Sequence, residues 1–281
     1  MSRFRILFRG WVQVDANLRS RLATAALGVP LLVVLVGWGP PWVFSTVFFI
    51  LTVGALREYF VMAFPNRGAD QWRGIGFGVV LSGTVFLNDE LNSLIWVDIV
   101  LLAGFSFYLF SGGELADRLN RLLISLLGAI YVGYFLPHWV LLFRSPQGRA
   151  WVFWVMAVIM GGDSMAYFVG RRFGVRKLAP QISPGKTVAG VYGYVLGALA
   201  AAAIGAKVLF YSINWVEVLV LTLVLSGLGQ IGDLFESWLK RVFAVKDSGT
   251  VLPGHGGLLD RLDSLIFPAV FTTAYLKVFH P

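Results

Sequence analysis

From residue 22 onward the chain alternates long apolar blocks with short polar stretches. Most blocks are apolar all round rather than striped, the pattern of helices that face lipid or lie wholly inside a core. A helix is the only single segment that satisfies its own backbone hydrogen bonds in hydrocarbon, and about 20 residues suffice to cross. The pattern predicts nine spans near residues 22–38, 41–58, 73–88, 94–111, 122–143, 150–162, 191–211, 215–232 and 262–279, the third and sixth being short. Pro40 and Pro41 set a tight turn between the first two. Ahead of them, Phe4, Ile6, Leu7, Trp11 and Val14 suit an amphipathic surface helix or an unstructured tail, and no cleavable signal peptide is expected. The expected architecture is an all-α integral membrane protein, a polytopic bundle of about nine transmembrane helices. It forms one membrane domain over 1–281, with N-terminal helices in 1–150 and the polar motifs among the helices of 151–281.

Composition sharpens this picture. Apolar residues make up 57% and charged residues 14%, with a mean hydropathy of +0.75. A soluble domain carries roughly a quarter charged residues, so this chain could not clothe a water-facing surface. The absence of cysteine excludes disulfides, thiolate metal sites and a cysteine nucleophile. The net charge of +8 calls for no nucleic acid, because basic residues collect in the cytoplasmic loops of membrane proteins. With the N-terminus inside, 19 of the 23 Lys and Arg residues fall on that side. The polar site is therefore expected at the cytoplasmic side, with the C-terminus outside.

Two inside segments are too rich in special residues to be connectors. Residues 161–190 begin with Asp163 at the end of an apolar run and continue, dense in Gly, Pro, Lys and Arg, through Ser183, Lys186 and Thr187. This reads as loop with turns, whose freed backbone N–H groups beside Lys186 would suit a phosphate. Gly185-Lys186-Thr187 is not a P-loop, since the first glycine of that motif would fall on Pro180. In residues 232–264, Asp233, Glu236, Ser237 and Lys240 recur at three and four residues and share one helix face. Arg241, Lys246 and Asp247 follow, then a turn with His255, Gly256 and Gly257, then Asp260, Arg261 and Asp263 before the last span.

Carboxylates at a membrane edge need partners. The neighbouring cations are one candidate. The other is Mg²⁺, held by oxygens of Asp233, Asp260 and Asp263 together with substrate phosphates. Acids, cations and a Gly-rich loop suit metal-dependent phosphoryl or nucleotidyl transfer, and a salt-bridged transporter gate is the other reading. Glu58, beside Arg57, reads as an interface pair.

The stretch from Ser237 to Asp263 (S-x-x-K-R-x4-K-D-x-G-x3-P-G-H-G-G-x-x-D-R-x-D) resembles the signature of phosphatidate cytidylyltransferases, also called CDP-diacylglycerol synthases. Asp163, Ala166, Tyr167, Gly170, Arg171, Gly174 and Ser183-Pro184-x-Lys186-Thr187 look like the same family. Ala189 departs from it, standing where many relatives carry an acid or amide, and Gly193-Tyr194 replaces a frequent Gly-Gly pair. The resemblance implies transfer of CMP from CTP to phosphatidic acid, giving CDP-diacylglycerol and pyrophosphate. It further implies a catalytic set of Asp233, Lys240, Arg241, Lys246, Asp247, His255, Asp260, Arg261 and Asp263. Asp163, Ser183, Lys186, Thr187, Ser237, Gly256 and Gly257 would contact substrate. Mg²⁺, a second cation such as K⁺, a homodimer and a bacterial inner membrane complete the expectation.

Overall fold

A computed structural model of the chain describes residues 28–87, 90–210, 212, 214–249 and 256–280. The expected surface helix near the N-terminus, the acidic Asn88-Asp89 pair and His255 lie outside these residues. The helices are α1 (Gly28–Trp38), α2 (Pro41–Ala63), α3 (Gly68–Leu87), α4 (Glu90–Leu109), α5 (Leu115–Gly128), α6 (His138–Arg144), α7 (Gly148–Phe173), α8 (Val188–Leu209), α9 (Trp215–Val242) and α10 (Leu259–Phe279). Helix occurs at every predicted span. Among the described residues, six segments are long and apolar enough to cross a membrane: α2, the run Leu115–Arg144, α7, α8, α9 and α10. The chain is a helical membrane protein.

Three departures from the sequence reading position the site. The fifth span is not one regular helix: α5 passes through a π-helical stretch, Ala129–Tyr134, before α6, and Pro137 stands at the join. Such wide turns are rare and gather at functional sites. The segment 161–173 is not loop. α7 runs on to Phe173, because Met165, Ala166, Tyr167, Phe168 and Val169 keep it helical while the glycines serve packing. The rest of that segment is a two-stranded antiparallel hairpin, β1 (Lys177–Ala179) and β2 (Ser183–Thr187), with Lys177 opposite Thr187. Thr187 then caps α8, its hydroxyl accepting from the Gly190 N–H at 3.1 Å.

α9 also outruns its predicted end. Its 28 residues make a rod about 42 Å long, against about 30 Å of hydrocarbon, so its charged last turns can stand in the headgroup region. It stops with a Schellman turn: the Val245 N–H bonds to the Lys240 carbonyl, and Ala244 takes the left-handed conformation at φ 57° usually left to glycine.

The most extensive interface joins α7 to α8. Small residues let the backbones meet, as membrane helices without a hydrophobic drive between them require. A methyl group added to Gly197 would fall on the Gly161 carbonyl and the Met165 side chain, and one on Gly162 would fall on the Tyr194 ring. The Trp154 indole donates across the pair to the Ala202 carbonyl at 3.0 Å. Gly197→Val should therefore lower stability by about 1–3 kcal/mol through overpacking. Gly227→Ala, at a position with open space around it, should leave stability within about 0.5 kcal/mol of the parent. Thermal unfolding of both variants in the same detergent checks the contrast.

Candidate active site

Four elements bring charge to one end of the bundle: the hairpin, the C-terminal turns of α9, the N-terminus of α10 and the end of α2. Helical spacing places Asp233, Glu236, Ser237 and Lys240 on one face of α9, as the sequence pattern required. That face meets α10 closely, since a methyl on Gly232 would strike the Asp263 carbonyl. The charges resolve into two knots.

In the first, Lys186 of β2 pairs with Asp233 at 2.8 Å, and the Ser237 hydroxyl lies 3.4 Å from the same carboxylate. A cleft of about 760 Å³ opens here, lined by Asp163, Tyr167, Arg171, Ser183, Lys186, Thr187, Gln230 and Asp233 among others. Arg241 braces its rim by donating to the Ile182 carbonyl at the hairpin turn, 3.2 Å away. Both Lys186 and Asp233 remain partly open to the cleft.

Lys240 forms the second knot. Its ammonium pairs with Glu236 one turn earlier on α9 and with Asp260 of α10 at 2.5 Å. The other Asp260 oxygen accepts from the backbone N–H groups of Ser248 (3.1 Å) and Gly257 (2.9 Å). Gly256 turns the chain into α10 at φ 82°, a conformation that disfavours a side chain. At Gly257 a side chain would collide with Ser248 and Glu58. Asp233 and Lys240 are seven residues apart, roughly 10.5 Å along the helix, so both knots lie at the same end.

The remaining predicted residues scatter around this frame. Asp263 is buried at 8% exposure, and its carboxylate takes the Ser264 N–H at 2.6 Å. Lys246, Asp247 and Arg261 are exposed near the second knot. Two features escaped the sequence reading. Glu58 does not serve as an interface partner of Arg57: it is buried and its carboxylate reaches across the bundle to the Ser248–Leu259 segment. An acid inside an apolar span must have partners, and that was the available signal. Among the described residues the buried phenols of Tyr131, in the π-helical stretch, and Tyr194 have no hydrogen-bond partner, and the apolar surroundings of Tyr131 in sequence do not mark it.

The oxygen-only donor set suits Mg²⁺. Among the described residues, however, no three acidic or imidazole groups gather in a form that could hold a metal. Lysine and backbone N–H groups take the oxygens of Asp233, Asp260 and Asp263 instead. The residues fit an ion that uses one or two carboxylates plus substrate phosphates, and Asp233 is a carboxylate open to the cleft.

Comparison with known proteins agrees with this chemistry. A phosphatidate cytidylyltransferase of Bacillus subtilis is 46% identical over 154 residues, covering 54% of this chain and 57% of the relative. One from Brucella abortus is 44% identical over 135 residues, covering 48% and 50%. An uncharacterized Escherichia coli protein, YnbB, is 34% identical over 240 residues, covering 82% and 78%. The chain thus spans about half the length of the first two relatives. The model of the cytidylyltransferase family matches residues 19–279, nearly the whole sequence, and the chain belongs to that family.

Proposed function

We propose that this membrane protein is a phosphatidate cytidylyltransferase, transferring CMP from CTP to phosphatidic acid. The observation that carries the reading is the Lys186–Asp233 pair in a roomy cleft, beside the Lys240–Asp260 pair at the same end of the bundle. A nucleotide needs the first arrangement and a lipid phosphate needs cations close to the membrane edge.

In this scheme a phosphatidate oxygen attacks the α-phosphorus of CTP in line. The bond to the bridging oxygen breaks and pyrophosphate leaves. A phosphate monoester is ionised at neutral pH, so the attack needs no protein base, and positioning and charge stabilisation do the catalysis. Lys186, with Ser183 and Thr187 on the same hairpin, grips the triphosphate, and Asp163 closes the opposite wall. Ser237 steadies Asp233. Lys240, Arg241, Lys246 and Arg261 supply positive charge for the nucleotide and lipid phosphates, while Asp260 fixes the Lys240 ammonium. Asp247 and the Gly256-Gly257 turn lead into α10 beside them, and contact with a substrate phosphate is the role proposed for His255. Asp233 would hold Mg²⁺ together with substrate phosphates, backed by Asp260 and Asp263, and K⁺ is the proposed second cation. When bound, Mg²⁺ would offset charge on the phosphates.

The asymmetry of basic residues supports nine spans with the N-terminus and the site on the cytoplasmic side of a bacterial inner membrane. CTP then arrives from water and phosphatidic acid from the bilayer, and a homodimer is the proposed assembly.

Purified protein given CTP, Mg²⁺ and phosphatidic acid should release pyrophosphate and label lipid with cytidine. Folded protein without product would overturn the assignment, and turnover of an isoprenoid alcohol in place of phosphatidic acid would redirect it to a lipid kinase. Asp260→Asn should lower the rate at least about 100-fold with the fold retained, the scale of a lost electrostatic contact in a transition state; near-normal turnover would refute its role. Lys240→Met leaves two buried carboxylates facing each other and should cost about 3–5 kcal/mol of stability in thermal unfolding. Adding Glu236→Gln should restore part of that loss.

A further inference from the structure

Glu58 lies about 200 residues from the segment it touches. Its side chain belongs to α2, in the half of the chain that carries none of the signature residues, and it is only 6% exposed. One carboxylate oxygen accepts from the Leu258 N–H at 2.9 Å; the other accepts from the Leu259 N–H at 2.8 Å and the Ser248 hydroxyl at 3.1 Å. Ser248 closes a ring: its hydroxyl oxygen accepts from the Asp260 N–H at 3.3 Å, and its own N–H donates to the Asp260 carboxylate.

This arrangement answers a structural need. Leu258 stands at the N-cap position of α10, where its side chain cannot cap, and the first N–H groups of any helix lack partners within it. Glu58 supplies the cap from another helix and places its negative charge at the positive end of the helix dipole. The surroundings are shaped to admit it. A side chain on Gly249 or on Gly257 would occupy the space the Glu58 carboxylate fills, and one on Gly54 would crowd Leu258.

We infer that Glu58 is a positioning residue: its carboxylate clamps Ser248, Leu258 and Leu259 so that Asp260 holds Lys240 at the distance the phosphate chemistry requires. The inference rests on the proposed cytidylyl transfer for its consequence in rate, but not for the clamp itself. Glu58 touches neither the Lys186 cleft nor the Lys240 ammonium, so its loss leaves the hairpin's grip on the triphosphate intact and displaces Lys240 from the reacting phosphates. A displacement near 1 Å at a reacting centre costs about 100-fold in rate.

The test uses the full chain in detergent and compares the parent with Glu58→Gln and Ser248→Ala, by amide hydrogen exchange and by kinetics. Glu58→Gln should speed exchange in peptides covering residues 256–262 while the 177–187 hairpin exchanges as before. Its kcat should fall about 100-fold with KM for CTP within threefold. Ser248→Ala, a small change that serves if Glu58→Gln fails to fold, should speed exchange in the same peptides and lower kcat about tenfold, the scale of one hydrogen bond. The double variant should be no slower than Glu58→Gln alone, because both break one ring. Unchanged exchange in the variants overturns the clamp whatever the reaction is. Faster exchange with parental kcat, a loss carried by KM, or additive losses in the double variant overturn the positioning role. Should the parent itself transfer no cytidylyl group, the proposed function falls, while the exchange contrast still decides whether the clamp exists.

Discussion

A charge close to hydrocarbon must be matched at short range, and at this end of the bundle the matching is done around Lys240. Its ammonium stands between Glu236, fully buried, and Asp260, nearly so. Removing the cation would leave two acids in a medium that cannot solvate them, and removing either acid would leave one side of the ammonium unmatched. The crossing of α9 and α10 at Gly232, the left-handed exit at Ala244 and the tight turn at Gly256 and Gly257 all serve to bring these three groups together. Lys186 and Asp233 repeat the theme with more exposure, on the side where the cleft opens.

In the proposed reaction the two knots divide the labour. The hairpin carries Lys186 on a short, exposed element braced through Arg241, a place where a ligand can displace an ion pair cheaply. The Lys240 knot is packed between two helices and tied to backbone N–H groups, so its geometry is fixed before any substrate arrives. Pre-set charge of this kind needs no rearrangement as negative charge builds on a reacting phosphorus.

Much of this was legible in the sequence. Among the described residues apolar block length marked helix at each predicted span, and the spacing of Asp233, Glu236, Ser237 and Lys240 put them on one face because helical periodicity leaves little choice. Asp260 and Asp263, expected just before the last span, lie inside α10, Asp260 in its first turn, because the helix starts three residues ahead of the apolar block. The extension of α7 through Asp163 was hidden because glycines read as loop formers, whereas between membrane helices they allow close approach. The hairpin was hidden by its brevity: three and five residues carry too little alternation to mark strands. Glu58 was misread because a local rule pairs it with its neighbour Arg57, while its partners lie in the last quarter of the chain. No pattern within a window reveals a contact of that span.

That span also sets an order of events during synthesis. At about 5–20 residues per second, a ribosome would finish α2 roughly 10–40 s before the first turn of α10 emerges. Until then Glu58 lacks the Leu258 and Leu259 N–H groups it accepts from. The charged end of the molecule therefore closes last, so that a prematurely terminated chain inserts its early helices without assembling the Lys240 knot.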